Sequence, residues 1–278
     1  VVKRINSDIV MKEGRDEWLQ PLLNDASSAC DPEVMDAEDP LFILYTSGTT
    51  GKPKGIVHST GGYLVYINSV YKTVFNVQED SVYWCNADIG WVTGHSFIVY
   101  APLLNGASIV MYEGAPDYPT PDRWWKIIEE YKITTLYTSP TAIRMFMRLG
   151  EDLIKKHDLS SLSILGSVGE PINPEAWMWY FKNVGGERCP IVDTWWQTET
   201  GGILISNFVG MDIKLGSMGR PLPGITAEIV SDEGKVLGPN EEGNLCIKPG
   251  WPSMMRKIWR RPNKYQSYFE HGWYVSGD

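Results

Sequence analysis

The chain has 278 residues and a net charge of −9. That length holds one large domain or two small ones with an ample core, and the acidic balance excludes a general nucleic-acid binder. No apolar run approaches the ~20 residues a membrane-spanning helix needs, and the opening Val1-Val2-Lys3-Arg4 is not a secretory signal.

The four cysteines, Cys30, Cys85, Cys189 and Cys246, lack the spacing of a metal ribbon or a disulfide framework, so a reducing, cytoplasmic setting is expected. Residues 1–40 are polar, with an acidic stretch at 31–39, and read as a connecting segment. The sequence opens without Met and without an element boundary, as the interior of a larger protein would. Leu41-Phe42-Ile43-Leu44 predicts a short buried strand. It leads into Tyr45-Thr46-Ser47-Gly48-Thr49-Thr50-Gly51-Lys52-Pro53-Lys54-Gly55, which carries three glycines, four Ser/Thr hydroxyls and two lysines. Glycine lets the backbone bend so that several N–H groups face one anion, and the hydroxyls and lysines add donors and positive charge. This chemistry suits a polyphosphate. It is not a Walker loop, which needs Gly, four residues, then Gly-Lys-Ser/Thr; here Thr46 holds the first position and Pro53 follows Lys52.

Leu64, Ile67, Tyr71 and Val74 recur at helical spacing and predict a helix over 62–75. Strands are expected at 81–86, 107–112, 134–138, 162–168 and 191–196. Between them, Thr120-Pro121-Asp122 predicts a helix start with Thr120 as cap, running to Tyr131. Ser139-Pro140 predicts another start, and Asn173-Pro174 a third that stops at Gly185-Gly186. Strands separated by such helices imply βαβ units and a mostly parallel sheet, with ligands beyond the carboxyl ends of its strands. From Gly201 the pattern changes to short strands at 203–206, 225–230 and 243–248 with Gly/Pro turns and no helices. The expected organisation is α/β: a connecting segment 1–40, an α/β part 41–200 and a small β-rich subdomain 201–278.

Four further stretches carry chemistry. Trp91, Val92 and Thr93, between Gly90 and Gly94, can wall a small pocket; His95 beside them reads as a core histidine. Gly166-Ser167-Val168-Gly169-Glu170-Pro171 lets a flat ligand approach the backbone closely. In Asp193-Thr194-Trp195-Trp196-Gln197-Thr198-Glu199-Thr200-Gly201, a carboxylate among hydroxyls is costly unless it meets a cation or a donor network. Mg²⁺ on a triphosphate would supply that cation. Asp278 could accept two hydrogen bonds from ribose hydroxyls. The basic run Arg256-Lys257-Ile258-Trp259-Arg260-Arg261 reads as a solvated face near a bound anion rather than a nucleic-acid surface.

The Tyr45–Gly55 stretch resembles the phosphate loop of the adenylate-forming enzymes: acyl-CoA synthetases, luciferases and peptide-synthetase adenylation domains. The remaining stretches follow in the order of that superfamily's core motifs. Residues 91–93, 115–121, 166–171, 193–201 and 217–221 look like its AMP-forming acetyl-CoA synthetases, and the resemblance covers nearly the whole chain. It implies formation of acyl-AMP from a carboxylate and ATP, with release of pyrophosphate, then acyl transfer to the thiol of CoA. By resemblance Thr46, Ser47, Gly48, Thr49, Thr50, Gly51 and Lys52 hold the β- and γ-phosphates. Gly169, Glu170 and Pro171 line the adenine with Asp193 and Thr194 beside it, Trp195, Trp196 and Gln197 flank the nucleotide, and Asp278 binds ribose. Thr198 contacts the α-phosphate and Glu199 ligates Mg²⁺, so Thr46, Lys52, Thr198 and Glu199 carry the catalytic expectation. Trp91, Val92, Thr93, Val168 and Trp196 form the acyl pocket. The Trp196 indole, where long-chain members carry a small residue, closes it after a carbon or two. Acetate is therefore expected first and propionate more weakly. Thr93 and Asp117 touch CoA by resemblance, although the family pattern has Asn at the place of Asp117.

The resemblance also implies an N-terminal part and a C-terminal lid domain with an essential lysine outside this sequence. These residues alone are then expected to bind ATP or AMP without efficient turnover, and to be marginally stable or to oligomerise. The alternatives are a propionate or other short-chain synthetase and a non-catalytic ATP/AMP-binding module. Lys52, Thr198, Glu199 and Asp278 weigh against the module, which needs no metal carboxylate. The expected partners are small molecules (acetate, ATP and CoA), with neither nucleic acid nor membrane; the sequence leaves the oligomeric state open.

Overall fold

A computed structural model describes residues 1–5, 7–46 and 52–278, in two compact units, Val1–Met35 and Asp36–Asp278. The first unit has one helix, Leu19–Asp25, none of whose residues is buried, and the Leu19 N–H reaches the Val1 carbonyl at 2.9 Å.

The second unit carries the strands β1 (Pro40–Thr46), β2 (Lys54–Ser59), β3 (Val82–Cys85), β4 (Ser108–Ile109), β5 (Thr135–Thr138), β6 (Ile164–Ser167), β7 (Ile191–Trp195), β8 (Ile205–Ser206), β9 (Arg220–Pro221), β10 (Ala227–Val230), β11 (Asn244–Ile247), β12 (Lys257–Ile258), β13 (Phe269–Glu270) and β14 (Trp273–Val275). They form a seven-stranded sheet of order β4-β3-β5-β6-β7-β8-β9, a four-stranded sheet β10-β11-β14-β13 and a three-stranded sheet β1-β2-β12. The β4-β3-β5-β6-β7 part is parallel and the β8-β9 edge antiparallel.

The parallel strands are buried on both faces because their alternate residues enter two different cores. Tyr83, Tyr137, Ile164 and Val192 face one core, shared with Tyr63, Ile67, Tyr71 and Phe75 of the Thr60–Phe75 helix. Trp84, Leu136, Leu165 and Ile191 face the other, shared with Trp124, Trp125, Phe146, Trp177 and Tyr180. The helices on that second face are Arg123–Tyr131, Pro140–Leu149 and Pro174–Trp179, the last continuing into a π-helical Tyr180–Val184. The result is the expected α/β layering with a mostly parallel sheet.

Ser139 and Asn173 act as predicted: their side chains accept from the Ala142 and Ala176 N–H groups. The Arg123–Tyr131 helix begins two residues after the expected first position, and Asp122 stands at its cap without a side-chain cap bond. The Asp122 carboxylate instead meets His157 Nε2 at 3.1 Å. Val92 and Thr93, expected with Trp91 to wall a small pocket, open a helical stretch (Val92–Gly94, a π-helical His95–Tyr100, Ala101–Leu104) for which the sequence reading has no element. β2 was not expected at all; it pairs with β1 from Pro40↔Ser59 to Thr46↔Lys54. Among the strands after Gly201, β8 and β9 extend the large sheet, β12 pairs with β2, and only β10, β11, β13 and β14 build a sheet of their own. A short helix, Pro262–Gln266, lies among them. Among the described residues no helix is long and apolar enough to cross a membrane.

Candidate functional site

The carboxyl ends of β6 and β7 open into a cavity of about 890 Å³ between the large sheet and the four-stranded sheet. Gly169, Glu170 and Pro171 line it from the turn after β6, and Asp193, Thr194, Trp195, Trp196 and Gln197 from the end of β7. Residues 214–219, Glu228, Leu245 and Asp278 close the other side. Nine residues expected to face the nucleotide therefore share one hollow, at the place where open α/β sheets hold ligands.

Two carboxylates in this cavity are set up differently. Asp278 Oδ2 accepts from Trp195 Nε1 and from Gln197 Nε2, each at 3.0 Å. Gln197 is itself oriented by the Tyr274 hydroxyl, which donates to its Oε1 at 2.6 Å. Asp193 is buried, and burial pushes its carboxyl up to about 6, against the opposing effect of Ser167 and the Thr194 N–H. The backbone of β7 is pinned by Asn207, whose Oδ1 accepts from the Asp193 N–H at 2.7 Å.

Glu170 lines the cavity, but its carboxylate is engaged elsewhere. It accepts from the Thr141 N–H at 2.8 Å, from the Thr141 hydroxyl and from Arg144. Burial opposes its charge, yet these donors hold its pKa below the usual range.

Thr198 and Glu199 do not line this cavity; they sit on a turn locked from several sides. His58 Nε2 lies 2.7 Å from the Thr198 carbonyl. A carbonyl only accepts, so Nε2 carries the proton. The His58 ring is buried, which pushes its pKa down to about 4. The Met255 N–H donates to the Glu199 carbonyl at 2.9 Å, and Trp251 Nε1 and Ser253 Oγ donate to the Thr200 carbonyl at 3.0 and 2.6 Å. Gly201 closes the turn at φ +74°, where an added Cβ would stand 2.6 Å from the Ser253 carbonyl oxygen, so the position requires glycine.

The buried Glu199 side chain meets a cation and a hydroxyl. Lys54 Nζ lies 3.1 Å and Tyr268 Oη 2.9 Å from its Oε1, and Lys54 also donates to the Tyr268 hydroxyl. Burial works against the Lys54 ammonium, but Tyr268 and Glu199 outweigh it and its pKa is raised. Lys54 ends the Thr46↔Lys54 pair of the β1/β2 ladder, so this contact ties the flank of the Gly-rich stretch to the turn after β7. Thr46 is half-buried at the end of β1, and Lys52 is exposed with its carbonyl 3.5 Å from Arg261. Ser47, Gly48, Thr49, Thr50 and Gly51 lie outside the described residues.

The expected acyl-pocket residues are partly gathered. Val168 and Trp196 belong to one core cluster, where the Trp196 ring packs edge-on against Phe97 at 5.0 Å and its Nε1 donates to the Tyr137 hydroxyl at 3.3 Å. Val92 is buried outside both clusters, Thr93 is half-buried and Trp91 is exposed. None of Trp91, Val92, Thr93 and Val168 lines the 890 Å³ cavity. Asp117 is exposed on the loop between β4 and the Arg123–Tyr131 helix, also away from that cavity.

Sequence reasoning missed Lys54 as a partner of Glu199, and it missed Tyr268, Tyr274, Phe97 and Asn207. Of these, Lys54 lies in the glycine-rich stretch and Tyr274 opens the final segment that ends at Asp278, whereas Tyr268, Phe97 and Asn207 lie outside every stretch singled out.

The model of the AMP-binding enzyme family matches residues 2–259. Acetyl-coenzyme A synthetases from Rubrobacter xylanophilus and Chlorobaculum tepidum are 56% and 54% identical over 100% of this chain, covering 44% and 43% of their own length. A crystal structure of an acyl-CoA synthetase from Brucella canis superposes with a TM-score of 0.85 at 28% identity, over 97% of this chain and 48% of that one. The chain thus spans less than half the length of the curated relatives it matches. A family model matched along nearly all of the sequence, together with an α/β fold whose strand ends gather the expected residues, leads to one conclusion: the chain belongs to the AMP-binding enzyme family.

Proposed function

We propose that this chain is the nucleotide- and acyl-binding core of an enzyme that activates acetate with ATP and passes the acetyl group to CoA. The observation that carries the reading is the convergence of residues 169–171, 193–197 and Asp278 on one cavity, with Asp278 held by Trp195 and Gln197. Such a carboxylate, fixed on one oxygen, suits a ribose diol. The backbone after β6 and the end of β7 suit a flat base.

In the first half-reaction a carboxylate oxygen of acetate bonds to the α-phosphorus and the bond to pyrophosphate breaks, giving acetyl-AMP. In the second the CoA thiolate attacks the acetyl carbonyl, a C–S bond forms and AMP leaves. This reading assigns Thr46, Lys52 and the intervening residues 47–51, which lie outside the described residues, to the leaving phosphates, and Thr198 to the α-phosphate. Fixed donors stabilise the growing charge with little reorganisation. Trp196, held on Phe97 and Tyr137, walls the acyl side with Val168, and Val92 and Thr93 complete it.

Glu199 is the proposed Mg²⁺ carboxylate. The described residues hold no cluster of three or more His, Cys, Asp or Glu side chains fit for a metal. A single buried carboxylate therefore fits a cation that arrives on the phosphates, since Mg²⁺ favours one or two carboxylates plus phosphate oxygens. When bound, it would neutralise phosphate charge. CoA contact by Thr93 and Asp117, a cytoplasmic setting and a further lid domain in the whole protein belong to the same proposal, as does the division at residue 200 into a nucleotide part and a β-rich part.

The test is acetate-dependent exchange of labelled pyrophosphate into ATP by the full-length protein. Exchange with acetate, weaker with propionate and little beyond, supports the reading. Exchange with long-chain acids only, or none, overturns it.

A further inference from the structure

Tyr268 follows the Pro262–Gln266 helix, far in sequence from the turn after β7, yet its hydroxyl donates to Glu199 Oε1 at 2.9 Å across 69 positions. Lys54 reaches the same oxygen and the same hydroxyl, and its Nζ lies 5.0 Å from the centre of the Tyr268 ring. Both described contacts of the carboxylate thus fall on Oε1. The Tyr268 ring is stacked on Tyr274 at 5.8 Å and 10° between planes. The Tyr274 hydroxyl holds Gln197, and Gln197 holds Asp278. Two stacked phenols therefore stand between the two carboxylates, one hydroxyl directed at each branch. The Val275 N–H, which donates to the Tyr268 carbonyl at 2.9 Å, fixes the two tyrosines to one another through the backbone.

We propose that Tyr268 is a positioning residue: its hydroxyl fixes Glu199 Oε1 so that the other carboxylate oxygen is presented to the nucleotide-borne divalent cation, while its stacking partner Tyr274 does the equivalent for Asp278 through Gln197. This rests on the reading of Glu199 as the Mg²⁺ carboxylate. The two hydroxyls then have separable effects. Loss of the Tyr268 hydroxyl frees the metal carboxylate to rotate, and loss of the Tyr274 hydroxyl loosens the ribose side. Outer partners of a metal carboxylate typically contribute about 10–100-fold to metal affinity.

The experiment is calorimetry on the full-length protein, with AMP in the absence of metal and with ATP over a Mg²⁺ titration, for wild type, Tyr268→Phe, Tyr274→Phe and Glu199→Gln. Phenylalanine keeps both rings stacked, so the fold is retained. Tyr268→Phe is expected to raise the Mg²⁺ concentration for half-maximal ATP binding about tenfold and to leave metal-free AMP binding as in wild type. Tyr274→Phe is expected to weaken AMP binding and leave the Mg²⁺ requirement as it is. If Glu199→Gln raises the requirement and Tyr268→Phe does not, the role of Tyr268 is overturned and that of Glu199 stands. If neither variant changes it, both readings fall. A Tyr268→Phe variant that weakens metal-free AMP binding by the same factor as ATP binding makes Tyr268 a packing residue only and overturns the proposal.

Discussion

Trp195 Nε1 donates to Asp278 Oδ2 at 3.0 Å, joining positions 83 residues apart. The bond fixes the carboxylate, three residues beyond β14, against the last residue of β7, and Gln197 in the loop that follows repeats it at the same distance. An oxygen held by two neutral donors leaves the group's charge available to a ligand hydroxyl. Asp278→Ala should therefore lower AMP affinity about tenfold or more, since hydrogen bonds to charged groups contribute about 1.5–3 kcal/mol. Gln197→Ala, which keeps the charge and loses one anchor, should lose less. Titration calorimetry on the full-length protein checks both; equal affinities across the three proteins would contradict the assignment.

Trp196 is half-buried, edge-on to Phe97 and bonded to Tyr137. Replacing it by Gly should open the acyl side, so that kcat/KM for four- to six-carbon acids rises as that for acetate falls. Because the indole is only partly buried, the stability cost should be below the about 3–5 kcal/mol of a fully buried Trp truncation. Competition assays with mixed carboxylates measure the switch. An unchanged acid preference would remove Trp196 from the acyl pocket.

Asp193 and His58 act on stability with opposite signs. Burial raises Asp193 to about 6, so its folded form binds a proton more readily than the unfolded chain. Its contribution is fully present below its unfolded pKa near 3.9 and is lost as pH rises through about 6. Burial lowers His58 to about 4, so its contribution is present above its unfolded value and is lost as pH falls through about 4. Each amounts to about 3 kcal/mol, at 1.36 kcal/mol per unit. Between pH 4 and 6.5 the two largely offset each other. Asp193→Asn should therefore steepen the loss of stability on acidification, and His58→Gln should flatten it. Urea unfolding midpoints at pH 4.5, 5.5 and 7.5 read the difference from wild type. Curves that stay parallel in both variants would contradict these roles.

Gly201 and Gly210 form a matched pair. Both have positive φ, +74° and +91°, but an added Cβ meets the Ser253 carbonyl at 2.6 Å in the first and open space in the second. Gly210→Ala should cost about 1–2 kcal/mol, the penalty for a left-handed residue. Gly201→Ala should cost more, because the Ser253 backbone must move. It should also weaken ATP binding, since that turn carries Thr198 and Glu199. Unfolding and binding measured together decide this; equal costs at the two glycines would refute it.

Much of this arrangement is written locally. Tyr83 and Trp84, or Leu136 and Tyr137, announce strands buried on both faces, and Ser139-Pro140 and Asn173-Pro174 announce helix starts whose caps form. The residues after β6 and β7 could be placed in one hollow because parallel strands deliver their carboxyl ends to the same edge. Other features depend on distant partners. Asp122 looks like part of a helix cap until His157, 35 positions on, draws its carboxylate away. The glycine-rich flank hides β2, whose Ile56 and Val57 are buried against elements far along the chain. The glycines flanking Trp91, Val92 and Thr93 hide a helical stretch that begins at Val92. The pairing of Lys54 with Tyr268 spans 214 positions, and no spacing rule reaches that far.

The cavity at the ends of β6 and β7 is the proposed seat of the nucleotide. Hydrogen exchange of the full-length protein with and without saturating AMP tests this directly. The prediction is slowed exchange in 167–171, 193–197 and 274–278, with little change in the Arg123–Tyr131 helix on the far core. Protection confined to other segments, or no protection in those three, would contradict it.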